Sequence, residues 1–156
     1  THKEDWLDVG FKAQEVEAWR IKRGLPIGSG ELNGETNPFE LGLANWVSLD
    51  KGCFLGQETL AKLVSKEGIK QQLRFWRSDS SLLQGEALIN PHFEQGMKRK
   101  CGLITSAIGD LDRGGSFGLA IINRHSLGAK RLLTERDSFS VKLSLPTGFV
   151  APPYVK

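Results

Sequence analysis

The spacing of apolar positions changes near residue 70. Before it the period is helical. In FKAQEVEAWRIKR (11 to 23) Val16 and Trp19 stand three apart, Lys22 and Arg23 close the segment, and Gly24 and Pro26 follow as stop signals. This predicts a short helix with a defined end. In TNPFELGL, Asn37, Pro38 and Glu40 have the arrangement of a capping box, which predicts a brief helical turn. GQETLAKLVSKEG (56 to 68) puts Leu60, Leu63 and Val64 on one face, with Glu58 in the first turn, Lys66 in the last and Gly68 beyond, and predicts the best helix of the chain. After residue 70 the pattern alternates. Leu73 and Phe75 alternate with Arg74 and Arg77 around Trp76, and Phe139, Val141, Leu143 and Leu145 with Ser140, Lys142 and Ser144. Between them EALIN, KCGLITSAI, FGLAIIN and KRLLT are short apolar segments separated by Gly-, Asp- and Ser-rich turns. Together they predict about six strands of an all-β sandwich or barrel following a helical part, an α+β chain with its boundary in SKEGIK, 65 to 70.

Composition narrows the class. At 156 residues, 39% hydrophobic and 25% charged, the chain suits one or two small globular domains. No apolar run approaches the roughly 20 residues of a membrane span, and THKEDWLDVG lacks the order of a signal peptide. Cys53 and Cys101 are too few for a disulfide framework and read as thiols of a reducing compartment, which favours the cytoplasm. A net charge of +3 does not call for direct nucleic-acid binding. Met97 is the only methionine, so a C-terminal piece of something longer is expected.

Candidate chemistry concentrates in KGCFLGQE, residues 51 to 58. Cys53 lies a few residues ahead of the helix expected from Gly56 or Gln57, whose N–H groups favour an anion, and Lys51 adds positive charge; both effects lower a thiol pKa. Gly52 and Gly56 let the backbone approach a ligand, and the helix start suits a carboxylate or phosphate. This pattern fits a reactive or ligand-facing thiol. It equally fits a buried turn in which Cys53 is a small apolar residue.

KGCFLGQE closely resembles the KGC-aromatic-x-GQE signature of the YgfZ family, folate-binding proteins related to the glycine-cleavage T-protein (GcvT) aminomethyltransferases. The flanks agree: RIKRGLPIGSGEL (20 to 32) resembles the family's Arg-x-x-x-Gly-x-Pro segment and NPFELGL (37 to 43) its Pro-x-Glu-x-Gly-Leu segment. CGLITSA, GLAIINR and FVAPPYVK keep the order of the T-protein C-terminal barrel. The resemblance implies a helical remnant of a folate-binding domain over 1 to 70 and a six-stranded antiparallel barrel over 71 to 156. It implies a tetrahydrofolate-binding accessory protein in maturation or repair of iron–sulfur proteins, with indirect effects on tRNA modification. Partners would be iron–sulfur proteins or their assembly factors, and a mitochondrion or plastid becomes an alternative location. Carried over residue by residue, Cys53 is the reactive residue, Lys51, Gly52, Gly56, Gln57 and Glu58 complete the signature, and Arg20 matches an arginine facing the folate. The alternative is a folate-dependent aminomethyltransferase, sharing the fold but generally lacking KGC and needing a catalytic carboxylate upstream of Thr1.

Other features have plainer readings. Lys98, Arg99 and Lys100 form a basic run that suits a solvated turn, with tRNA or a polyglutamate tail as alternatives. RGGSFG (113 to 118) lacks G-x-G-x-x-G order and reads as a hairpin connection. His92 and His125 read as surface histidines, with no metal-site spacing to either cysteine. Cys101 reads as a buried strand residue. Trp19 and Trp46 are expected to pack in the core, with a stacking face for a pterin as the alternative.

Overall fold

The structure, a computed structural model, describes residues 12–53, 55–65, 68–92 and 100–152. The helical part holds α1 (Ala13–Arg23), α2 (Gly28–Glu31), a single 3-10 turn (Ala44–Trp46) and α3 (Gln57–Ser65). Gly24 ends α1 in the left-handed conformation (φ 73°), its N–H returning to the carbonyls of Arg20 and Ile21. The capping box forms reciprocally without nucleating a full helix: Asn37 N–H donates to Glu40 Oε2 (3.2 Å) and Glu40 N–H to Asn37 Oδ1 (3.1 Å).

Six strands follow: β1 (Gln71–Ser78), β2 (Ala87–Ile89), β3 (Lys100–Gly109), β4 (Ser116–Asn123), β5 (Arg131–Thr134) and β6 (Ser140–Ser144). All pair antiparallel, in the order β1-β4-β3-β2-β5-β6, and close into a barrel. The expected α+β class with a six-stranded antiparallel barrel is therefore what the chain forms. Trp76, Leu88, Cys101, Ile104, Ala120, Ile122, Leu132 and Val141 fill it. Trp76 is fully buried and its indole N–H donates to the Leu119 carbonyl (3.0 Å), as a buried donor requires. The outer face of β1 and β4 carries a second apolar layer, Leu73, Phe117 and Leu119, against which Ile21 of α1 and Leu41 pack. A third cluster joins α3 to the preceding turn through Phe39, Ala44, Val64 and Ile69.

Two irregularities in β3 place the site. Register skips Cys101 opposite β2 and Thr105 opposite β4, so each is the extra residue of a β-bulge. Without the second bulge, alternation from inward Ile104 would send Ser106 into the barrel. With it, Ser106 pairs with Leu119 on the outer, helix-facing side. Gly30 of α2 sits against the bulge so closely that a Cβ would lie 2.5 Å from the Thr105 carbonyl oxygen.

A C-terminal strap returns to the helical part. Thr147 and Gly148 N–H donate to the carbonyls of Lys22 and Arg23 (both 3.0 Å), and Val150 N–H to that of Gly42 (2.8 Å). Gly42, at φ 76°, lies under the Phe149 ring, where no side chain would fit.

Two sequence expectations fail here. Val16 and Trp19, expected as the apolar face of α1, are 50% and 56% exposed, whereas Arg20 and Ile21 are buried. Trp46 is 79% exposed, so neither it nor Trp19 packs in the core. Ion pairing lets the charged Arg20 take the buried position, and counting apolar residues alone misplaces the face. Cys101 is buried as expected, with its Sγ–H donating to the Leu88 carbonyl (3.4 Å), and burial pushes its thiol pKa up. His92 and His125 are exposed, and RGGSFG is the β3–β4 hairpin, with Gly114 and Gly115 at φ 75°. Of the basic run only Lys100 lies within the described residues; Lys66 and Phe54 also lie outside them.

Candidate functional site

The sequence-nominated residues divide between two places. Lys51, Gly52 and Cys53 are exposed on the irregular stretch that leads into α3. Gly52 and Gly56 adopt φ of 49° and 90°, conformations that favour glycine, and a Cβ on either would meet open space, so backbone conformation is their requirement. Gln57 anchors the stretch: its side-chain amide donates to the Leu49 carbonyl (2.8 Å). Glu58 pairs with Lys62 one turn on (2.5 Å), both side chains largely in solvent. Cys53, the free thiol of this loop, is at the surface, so the buried-turn alternative does not describe it.

Arg20 is elsewhere, at the meeting of α1, α2 and β3. Its side chain is 8% exposed and makes four hydrogen bonds. Nε donates to Glu17 Oε2 (2.8 Å) and Nη2 to Glu17 Oε1 (2.5 Å), a fork-on-fork pair; Nη2 also donates to Ser106 Oγ (2.9 Å) and Nη1 to the Leu25 carbonyl (2.7 Å). Ser106 passes the interaction on, donating its hydroxyl to Glu31 Oε1 (2.6 Å). Glu31 is fully buried, also accepts from Ile27 N–H (3.1 Å), and its Oε2 lies 3.7 Å from Arg20 Nη1. Hydrogen bonding from Arg20 holds the Glu17 carboxyl below the usual carboxylate range, against a smaller opposing effect of burial. Among the described residues no hydrogen bond or ion pair joins Arg20 to residues 51 to 58, so the structure does not assemble the nominated residues into one contact set.

Glu17, Glu31 and Ser106 are the residues sequence reading missed. Glu17 had a signal, an acid three residues before an arginine on a helix. Glu31 had a weaker one, a carboxylate inside the short GSGEL segment. Ser106 had none, because the bulge at Thr105 decides which way it faces.

Beside this network runs a cleft of about 250 Å³ lined by Glu17, Arg20, Ser29, Gln84 and Ser106. A neighbouring cavity of about 270 Å³ is lined by Thr105 and Asn123, whose Oγ1 and Oδ1 are buried without a hydrogen-bond partner among the described residues. No described cluster of three or more His, Cys, Asp or Glu has the makings of a metal site.

No family model matches the chain. It is 34% identical over 124 residues to a chloroplastic protein of Arabidopsis thaliana whose name places it among the transferases, covering 80% of this chain and 27% of that one. It is 30% identical over 120 residues to an aminomethyltransferase of Caldanaerobacter subterraneus, covering 74% of this chain and 30% of the relative. Among solved structures, the glycine cleavage system aminomethyltransferase T of Bartonella henselae matches with a TM-score of 0.69 over 91% of this chain and 40% of that chain, at 15% identity. The fold is GcvT-like. The GcvT-like chain spans less than a third of the length of either of these sequence relatives. No described helix is long and apolar enough to cross a membrane.

Proposed function

We infer that this chain is the C-terminal part of a YgfZ-like, tetrahydrofolate-binding accessory protein for iron–sulfur protein maturation or repair. The helical residues through about 70 would belong to the folate-binding domain, and 71 to 156 would form its barrel. The observation that carries the reading is the exposed Cys53 on a glycine-shaped loop anchored by Gln57, within the KGCFLGQE sequence. A thiol there can meet a reagent or partner from solvent, which a packed thiol cannot. Iron–sulfur proteins or their assembly factors are the partners this reading requires, in the cytoplasm or, as the chloroplastic relative suggests, an organelle.

Folate would supply a one-carbon carrier and carboxylates for recognition; Arg20 is the chain's candidate for a carboxylate. Its edge toward the cleft is taken by Glu17, so the residues fit an anionic ligand once Glu17 gives way. The second reading is an aminomethyltransferase, favoured by the names of the bacterial relatives. Isothermal calorimetry with tetrahydrofolate on a longer parent of this chain, alongside a Cys53→Ser parent tested for iron–sulfur enzyme activity in cells, separates them. The accessory reading expects folate binding retained and activity lost in Cys53→Ser. Full activity of Cys53→Ser, or aminomethyl transfer by the parent, would remove it.

A further inference from the structure

We propose that Glu17 is a displaceable stand-in for a ligand carboxylate, and that the cleft beside α2 is a carboxylate-binding site whose fork on Arg20 Glu17 occupies until a ligand takes it. The inference rests on the reading of Arg20 as ligand-facing.

Three observations carry it. First, the partners of Arg20 differ in accessibility: the Glu17 side chain is 33% exposed, Ser106 is buried and Glu31 is fully buried. Of these three side chains Glu17 is the one open to solvent, and so the one a dissolved carboxylate can replace. Second, Glu17 uses the Nε–Nη2 edge with both oxygens, the two-point geometry by which any free carboxylate would be recognised. Third, the guanidinium is held from its other side. Nη1 is fixed to the Leu25 carbonyl and Nη2 to Ser106, which Glu31 orients in turn, so Arg20 keeps its place when Glu17 swings out. The adjoining cleft offers Ser29 and Gln84 to the body of an incoming acid. An ordinary (i, i+3) helix pair has the same distances but no reason to exchange, and the two accounts part experimentally.

The test is thermal unfolding of the whole chain in sodium propionate, a free equivalent of the glutamate arm, against sodium chloride at equal ionic strength and propionamide as neutral control. Wild type should rise with propionate beyond chloride, but only at higher concentration than Glu17→Ala, because Glu17 must first be displaced. Glu17→Ala should melt lower and recover with propionate alone; at ten times its dissociation constant the ligand raises the folded-to-unfolded ratio about 11-fold. Glu17→Gln keeps the shape, gives up the charge, and should show a smaller rise of the same kind. Adding Arg20→Met to Glu17→Ala should abolish the response. A wild type that responds to propionate only as it does to chloride, equal propionate responses in wild type and Glu17→Ala, a Glu17→Ala chain that propionate does not restore, or a Glu17→Gln chain indistinguishable from wild type would each overturn the proposal. Folate plays no part in this assay, so propionate rescue beside a parent that fails to bind folate would leave the exchange standing and remove only the folate reading.

Discussion

Replacing Arg20 by Met removes the only cation that the structure places on the buried Glu31 carboxylate among the described residues. Stranding one partner of a buried ion pair costs about 3–5 kcal/mol. The lower end applies, because Glu31 keeps two donors, the Ser106 hydroxyl at 2.6 Å and Ile27 N–H at 3.1 Å, and because its approach to Arg20 is 3.7 Å and not a contact hydrogen bond. A loss of about 3 kcal/mol corresponds to a fall of about 6–12 °C in midpoint for a chain of this size. Chemical and thermal denaturation of Arg20→Met beside wild type measures it. The sign of the coupling gives a sharper test. Adding Glu31→Gln to Arg20→Met removes the stranded charge: the amide oxygen still accepts from Ile27 N–H, and the amide N–H can donate to the Ser106 hydroxyl that Arg20 no longer occupies, so the double variant should be more stable than Arg20→Met by about 1 kcal/mol or more. A single-variant cost below about 1 kcal/mol, or a double variant less stable than the single, would refute the network as a buried ion pair of the helical part, joined to the barrel through Ser106.

Further outcomes follow from other sites. Gly118→Ala should cost about 1–3 kcal/mol by denaturation and alter Trp76 fluorescence, because the new Cβ would fall against the Ser106 carbonyl and 2.9 Å from the Trp76 ring. Alkylation followed by mass spectrometry should modify Cys53 at least about tenfold faster than Cys101, since the first is exposed and the second buried with its thiol pKa raised by burial; comparable rates in the native chain would contradict this. The Glu17 carboxyl is held low, so its pairing stabilises the fold above the ordinary carboxylate range and is lost as pH falls through that range and below; the stability difference between wild type and Glu17→Gln should shrink on acidification. A difference that grows toward low pH would reverse the sign argued here.

Strand content and its limits were legible because period-2 alternation with turn residues is a local property, and each of the six predicted apolar segments became a strand. The capping box at Asn37 and the stop at Gly24 were local too. What escaped were long-range properties. The buried face of α1 could not be read from Val16 and Trp19, because Arg20 is made tolerable inside by Glu17 on its own helix and by Glu31 and Ser106 from elsewhere. Ser106 lay beyond reach because an extra residue in β3 inverts the alternation ahead of it. In the KGCFLGQE stretch the glycine conformations were foreseeable, whereas the exposure of Cys53 depends on what packs beside it.

The strap from Thr147 to Val150 has a consequence in time. Thr147 bonds the Lys22 carbonyl across 125 positions of sequence. On a ribosome adding about 5–20 residues per second, α1 therefore waits about 6–25 s after its own synthesis before that backbone partner has even been made. During that interval Ile21 and the Gly42 turn lack part of their cover, whatever their local preference for helix or turn. Closure of the outer apolar layer thus waits for the strap, and α1 depends on a partner added 125 positions after it.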